Sequence, residues 1–211
     1  MMTLLPFAVL VSLLICVATL TAMVLRSRAF GKRALHAAPV ATATRGIVFA
    51  FGTGMLPWEK ESARRHLFTY LAGIIYHVGV FTAAGYVSWR LVFGAPAGGS
   101  ALLTVFLLPG VAAGVFLLLK RLFVRNMRRL SVPDDYISNL LVNYLLAASA
   151  VDAVTGTFTP GLYLAVILLL IYIPLGKIRH CVFFFYARYL LGRFHGRRGT
   201  WPKPDLNEDA S

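Results

Sequence analysis

The stretch RHLFTYLAGIIYHVGVFTAAGYVSWRLV, Arg65 to Val92, decides how this chain is read. From Leu67 onward it is apolar for longer than the roughly 20 helical residues that a bilayer core requires. Yet His77 stands well inside the apolar run. An imidazole among aliphatic side chains lacks water for its two ring nitrogens, so it needs a hydrogen-bond partner or a metal. A second histidine, His180, sits near the end of the last apolar run, in IPLGKIRHCVFFF. Two histidines placed in apolar runs read as a clamp for one haem between two transmembrane helices.

Composition places the chain in a membrane. Of its 211 residues, 58% are hydrophobic and only 14% charged, where a soluble domain carries about a quarter charged residues. Several apolar runs of spanning length predict an all-α, polytopic membrane protein, with residues 1–211 forming a single membrane domain. Cys16 lies in the first apolar run and Cys181 beside His180. No CxxC or Cys/His metal spacing accompanies them, and both read as packing residues.

Five transmembrane helices are expected, at about residues 3–24, 67–92, 101–119, 135–154 and 162–184. The first run is followed, not preceded, by positive charge in RSRAFGKR, which reads as a retained helix rather than a signal peptide. Between the first two spans, GIVFAFGTGMLPW is apolar but short and broken by Gly52, Gly54 and Pro57. It reads as a re-entrant or interfacial piece. Pro109 and Gly110 suggest a kink in the third span. Pro133 and Asp134 have the chemistry of a helix start for the fourth. Residues 185–211 read as a basic, aromatic tail with a polar end.

The cations test the topology. All but one of the 21 Lys and Arg fall in the loops after spans one and three or in the region from Lys177 onward, and the exception is Arg90. By the positive-inside rule the N-terminus is outside and the C-terminus cytoplasmic. The formal charge of +13 therefore reports orientation and a cytoplasmic partner, and does not call for nucleic acid. Asp152, near the outer end of the fourth span, reads as a solvated helix end. No phosphate-binding loop, HExxH or Ser/His/Asp arrangement is present.

A bis-histidine b-type haem needs two neutral imidazoles at similar depth and room for a flat macrocycle. His77 and His180 would lie at similar depths on the cytoplasmic half. Glycine precedes each at i−4, Gly73 and Gly176. On one helix face, these would leave space for the edge of the ring. Lys177, Arg179 and Arg65 are near enough in sequence to pair with propionates. The bland reading has both histidines bonded to helix backbone or to Tyr70, Tyr76 or Asn143. His66, eleven residues before His77, and His195 in the tail are the second-choice ligands. They would serve a second haem or compete for the first, although both stand in interfacial sequence. His36, in a loop, reads as exposed.

At this point four stretches acquire meaning together: KESARRHLFTYLAGIIYHVGVF, RRLSVPDDYISNLLVNYLL, IPLGKIRHCV and GRFHGRRGTWP. As a set they resemble the cytochrome b membrane subunits related to the respiratory nitrate reductase gamma subunit. The resemblance is closest to the branch in sulfate-reducer redox complexes, of the DsrM, HmcE and TmcC kind. It implies b haem between the second and fifth helices, with ligand roles for His77 and His180. The nitrate-reductase branch has a further ligand on each of those helices. Aligned with this chain, those positions fall near Val87 and Leu162, where no histidine stands, which favours one haem over two.

The expectation is a subunit of the bacterial cytoplasmic (inner) membrane that passes electrons between menaquinone and a cytoplasmic iron–sulfur subunit. Other membrane and periplasmic cytochrome subunits, and membrane lipid, would be its further partners. The haem would carry the redox chemistry, with no side chain acting as nucleophile. The alternatives are a haem-free membrane anchor or scaffold for a redox complex and a small transporter. The transporter finds few paired charges and no duplicated half in its favour.

Overall fold

The computed structural model describes residues 4–31, 38–94 and 100–202, and every regular element among them is helical. The helices are α1 (Leu4–Ala29), α2 (Ala43–Phe51), α3 (Glu61–Arg65), α4 (Leu67–Phe93), α5 (Ala101–Phe123), α6 (Arg125–Leu130), α7 (Pro133–Thr155), α8 (Thr159–Tyr172) and α9 (His180–Arg197). Short 3-10 turns occupy Thr53–Met55, Pro57–Glu59 and Lys177–Arg179. Among the described residues four helices are long and apolar enough to cross a membrane: α1, α4, α5 from Leu102, and α7. A fifth is added if the interrupted pair Thr159–Tyr172 and Lys177–Arg197 counts as one span.

The fifth span departs from the sequence reading. A helix was expected through residues 162–184, but α8 ends at Tyr172 and His180 opens a separate helix. Pro174 is the reason. Its ring removes a backbone donor and clashes with the preceding turn, so a helix ends at or just before it. The chain turns here instead, with the N–H groups of Leu175 and Gly176 both donating to the Tyr172 carbonyl. The expected tail is helical as far as Arg197. His36 lies outside the described residues.

The chain divides into two compact units. The first comprises residues up to Thr21 and Phe68–Arg179. Its core joins Val9 of α1, Ala83 and Tyr86 of α4, Leu107 of α5, Leu145 and Leu146 of α7, and Leu162 and Val166 of α8. The backbones of α4 and α5 approach closely at one crossing. A Cβ on Gly79 would stand 2.8 Å from the Gly110 Cα and 3.3 Å from a Leu146 methyl. Small residues let membrane helices approach closely enough for dispersion contacts to hold them, because lipid gives no hydrophobic drive for association. Gly110 thus serves a close approach within an α5 that continues past Pro109.

Arg90 and Asp152 overturn the reading of their surroundings. Neither is a solvated helix end: Asp152 is fully buried and Arg90 only 6% exposed. The Asp152 Oδ2 accepts from Arg90 Nε at 2.9 Å and from the Tyr86 hydroxyl at 2.7 Å. Its Oδ1 accepts from Arg90 Nη2 and the Thr159 hydroxyl, both at 3.2 Å. Arg90 also bonds directly to Thr159 and, at 3.5 Å, to the Gly156 carbonyl. Gly156 caps α7 at φ 67°, a left-handed conformation that favours glycine. Three helices, α4, α7 and α8, are tied at this point.

The second unit comprises residues 22–67 and 180–211. In it α2 lies against α9, backbone to backbone, where Gly46 faces Gly192 and Gly196. A Cβ on Gly192 would stand 2.7 Å from the Ile47 Cα, so that face admits only glycine. The short apolar segment is therefore a helix too short to span, followed by two tight turns and packed on α9.

Removing one partner of a buried ion pair leaves the other charged and unsolvated. Asp152→Ala is expected to cost about 3–5 kcal/mol of stability in detergent or bicelles. The double replacement Arg90→Met with Asp152→Leu is expected to recover most of that loss. A double variant no more stable than Asp152→Ala would show that the pair is not what ties these helices.

Candidate functional site

His77 occupies the exposed side of α4. Its Nδ1 lies 2.7 Å from the Gly73 carbonyl. A carbonyl oxygen only accepts, so Nδ1 carries the proton and Nε2 is the acceptor nitrogen of the ring. This is the bond to helix backbone that the bland reading expects of His77, and metal-bound histidines also show it, the second nitrogen donating to backbone and fixing the tautomer. The Tyr76 ring stands edge-on to the imidazole, with centroids 6.3 Å apart. A Cβ on Gly73 would meet nothing within 4 Å, so the face next to His77 is open within its own unit.

His180 is exposed and is the first residue of α9. The expectation that Gly176 shares its helix face is not met, because Gly176 lies in the turn after α8. Its missing side chain serves other neighbours. A Cβ there would stand 2.6 Å from Asp134 Oδ1 and 2.9 Å from the Tyr172 Cζ, so Gly176 makes room for the Tyr172–Asp134 hydrogen bond. Lys177 is already ion-paired: its Nζ lies 2.8 Å from Asp135 Oδ2. This removes it from the cations placed for a propionate. Arg179 is exposed. Arg65 pairs with Glu61 at 2.5 Å on the surface.

The second-choice ligands have ordinary structural roles. His66 is exposed and lies outside α4, at the end of α3, with its N–H on the Ala63 carbonyl. The helical spacing that would put it on the face of His77 is broken there. His195 stacks on Trp201 at 4.5 Å between centroids, and its Nδ1 lies 3.0 Å from the Thr200 hydroxyl. The positions near which the resembling family has further ligands, Val87 and Leu162, are 7% and 0% exposed and belong to one core. Aliphatic packing fills them. Among the described residues no group of three or more His, Cys, Asp or Glu is placed to hold a metal ion. A pair of axial imidazoles is a different donor set from such a group.

Asp134, which the sequence marks with Pro133 as a helix start, and its neighbour Asp135 do more than open α7. Asp135 does cap α7, accepting from the Val132 N–H at 2.9 Å. It also pairs with Arg121 at 3.2 Å and with Lys177. Asp134 accepts from the Tyr172 hydroxyl at 2.5 Å, the Ser138 hydroxyl at 3.0 Å and the Lys177 N–H at 2.8 Å. Together they hold the turn after α8 against the start of α7. Two adjacent acids in an otherwise basic loop were the available signal.

No family model, curated protein or solved structure matches this chain. The cytochrome b resemblance accordingly rests on the four motif stretches.

Loss of these carboxylates should loosen residues 173–179. Asp134→Ala combined with Asp135→Ala is expected to raise tryptic cleavage after Lys177 and Arg179 several-fold, with total helix content unchanged. Equal cleavage in the parent and the double variant would show that the turn holds without them.

Proposed function

We propose that this chain is a membrane electron-transfer subunit carrying one b-type haem. It would exchange electrons between menaquinone and an iron–sulfur subunit at the cytoplasmic surface. The observation that carries the reading is His77: a histidine on a helix long and apolar enough to span, its Nδ1–H donating to the Gly73 carbonyl. That tautomer is the one an axial ligand requires. Gly73 keeps the adjacent face clear. The motif resemblance assigns the second imidazole to His180, and the side chain's exposure at the start of α9 is compatible with ligation.

Bound haem would supply the one-electron chemistry. This chain's part is to hold and tune it. The Gly73 carbonyl would orient the His77 ring and raise its basicity. Arg179 is the cation left to offer a propionate. The aliphatic side chains at Val87 and Leu162 support one haem rather than two. The charge distribution supports an N-outside orientation, in which the basic loops and α9 would face the cytoplasm and an iron–sulfur partner would dock on them, and the inner membrane is the location that the resemblance implies.

A haem-free anchor would use the same basic surface without His77. The transporter reading gains a buried charge pair in Arg90 and Asp152, but both Asp152 oxygens are already bonded within the fold. That leaves the carboxylate engaged with the protein rather than a substrate.

The dithionite-reduced minus oxidised spectrum of haem-loaded protein is expected to show b-type bands. His77→Ala and His180→Ala should each abolish them at unchanged helix content, while His36→Ala should leave them intact. A spectrum without bands, or one that survives His77→Ala, would contradict the assignment.

A further inference from the structure

Within the second unit two cations converge on one uncharged atom. Lys60 Nζ lies 3.8 Å from the Met55 sulfur. Arg188, reaching from α9, places Nη2 against the same sulfur and 3.4 Å from the Gly54 carbonyl. A thioether is a weak acceptor and carries no charge, so it does not neutralise either group. Among the described residues neither cation has a carboxylate partner: Glu61 is paired with Arg65, and Glu59 forms no ion pair. Both cations are half-buried, which weakens the screening that makes neighbouring like charges tolerable. Burial, and then the Arg188 charge, hold the Lys60 pKa below the ordinary lysine value.

We propose that Lys60 and Arg188 form a binding site for the phosphodiester of an anionic phospholipid headgroup. A lysine point charge beside a guanidinium fork suits a phosphate bearing several acceptor oxygens. The Phe184 ring lies 5.7 Å from the Arg188 guanidinium carbon and helps to orient the fork.

The setting selects lipid over free phosphate. Trp58 and Phe185 stay 59% and 57% exposed, and Phe185 stacks with Phe51. Exposed aromatics beside unpaired cations are the composition of a segment lying in the headgroup layer. The surrounding charge agrees: Arg45, Arg64, Arg193, Arg197 and Arg198 belong to the same unit, and anionic leaflets attract such clusters. The site is independent of haem.

Native mass spectrometry of the full chain, released from nanodiscs of mixed phosphatidylcholine and phosphatidylglycerol, tests the proposal. The parent is expected to retain phosphatidylglycerol selectively. Lys60→Gln with Arg188→Gln should lower that retention by about tenfold or more, whereas Arg128→Gln, in α6 of the first unit, should not. Lys60→Gln alone, at a position outside the helices, should lower retention while preserving helix content. This keeps the test decisive if the double variant misfolds. Equal retention by parent and Lys60→Gln would overturn the site. If millimolar inorganic phosphate displaced the lipid from the parent, the lipid assignment would be overturned in favour of soluble phosphate.

Discussion

The first unit depends on a carboxylate that has no access to water. Asp152 is fully buried, and an isolated charge there would be prohibitive. It is tolerated because Arg90 supplies two donors and the Tyr86 and Thr159 hydroxyls supply the rest. Arg90 and Tyr86 belong to α4 and Thr159 to α8. The requirement to satisfy one carboxylate therefore sets the mutual placement of α4, α7 and the start of α8. At the other end of α7, Asp134 and Asp135 bind the turn after α8. One helix is pinned at both ends by acids, with the aliphatic core between them.

This bracing bears on the proposed haem ligand. The α4 helix is held by Arg90 near its C-terminal end, by the close approach of Gly79 to Gly110, and by Thr69, whose hydroxyl meets the Lys120 ammonium. His77 lies between these points. A ligand carried on a braced helix keeps its position more closely than one on a loop, and the Gly73 carbonyl adds control over the ring itself. Rigidity at Val87 and Leu162 has the opposite consequence: the core there has no ligand and no space.

Much of the architecture was legible because lipid imposes a simple constraint. A span must satisfy its backbone internally over about 20 apolar residues, and α1, α4, α5 and α7 are written that way. The interrupted fifth span was harder, since IPLGKIRH is apolar overall and only Pro174 signals the stop. The buried ion pair was hidden for another reason. Arg90 and Asp152 each stand near a helix end, where sequence alone does not separate a solvated charge from a desolvated one. Their opposite signs at corresponding ends of two spans were the available hint. Gly176 looked like a space-maker for a cofactor because its spacing from His180 assumes one continuous helix. His77 was legible because an imidazole in an apolar run needs a partner, and Gly73 is one such partner.

The proposed arrangement is one haem per chain, with His77 as an axial ligand. Haem content per protein chain in the haem-loaded, purified subunit tests it most directly. One haem per chain is expected, falling to none in His77→Ala. A parent that binds no haem, or two per chain, would contradict it.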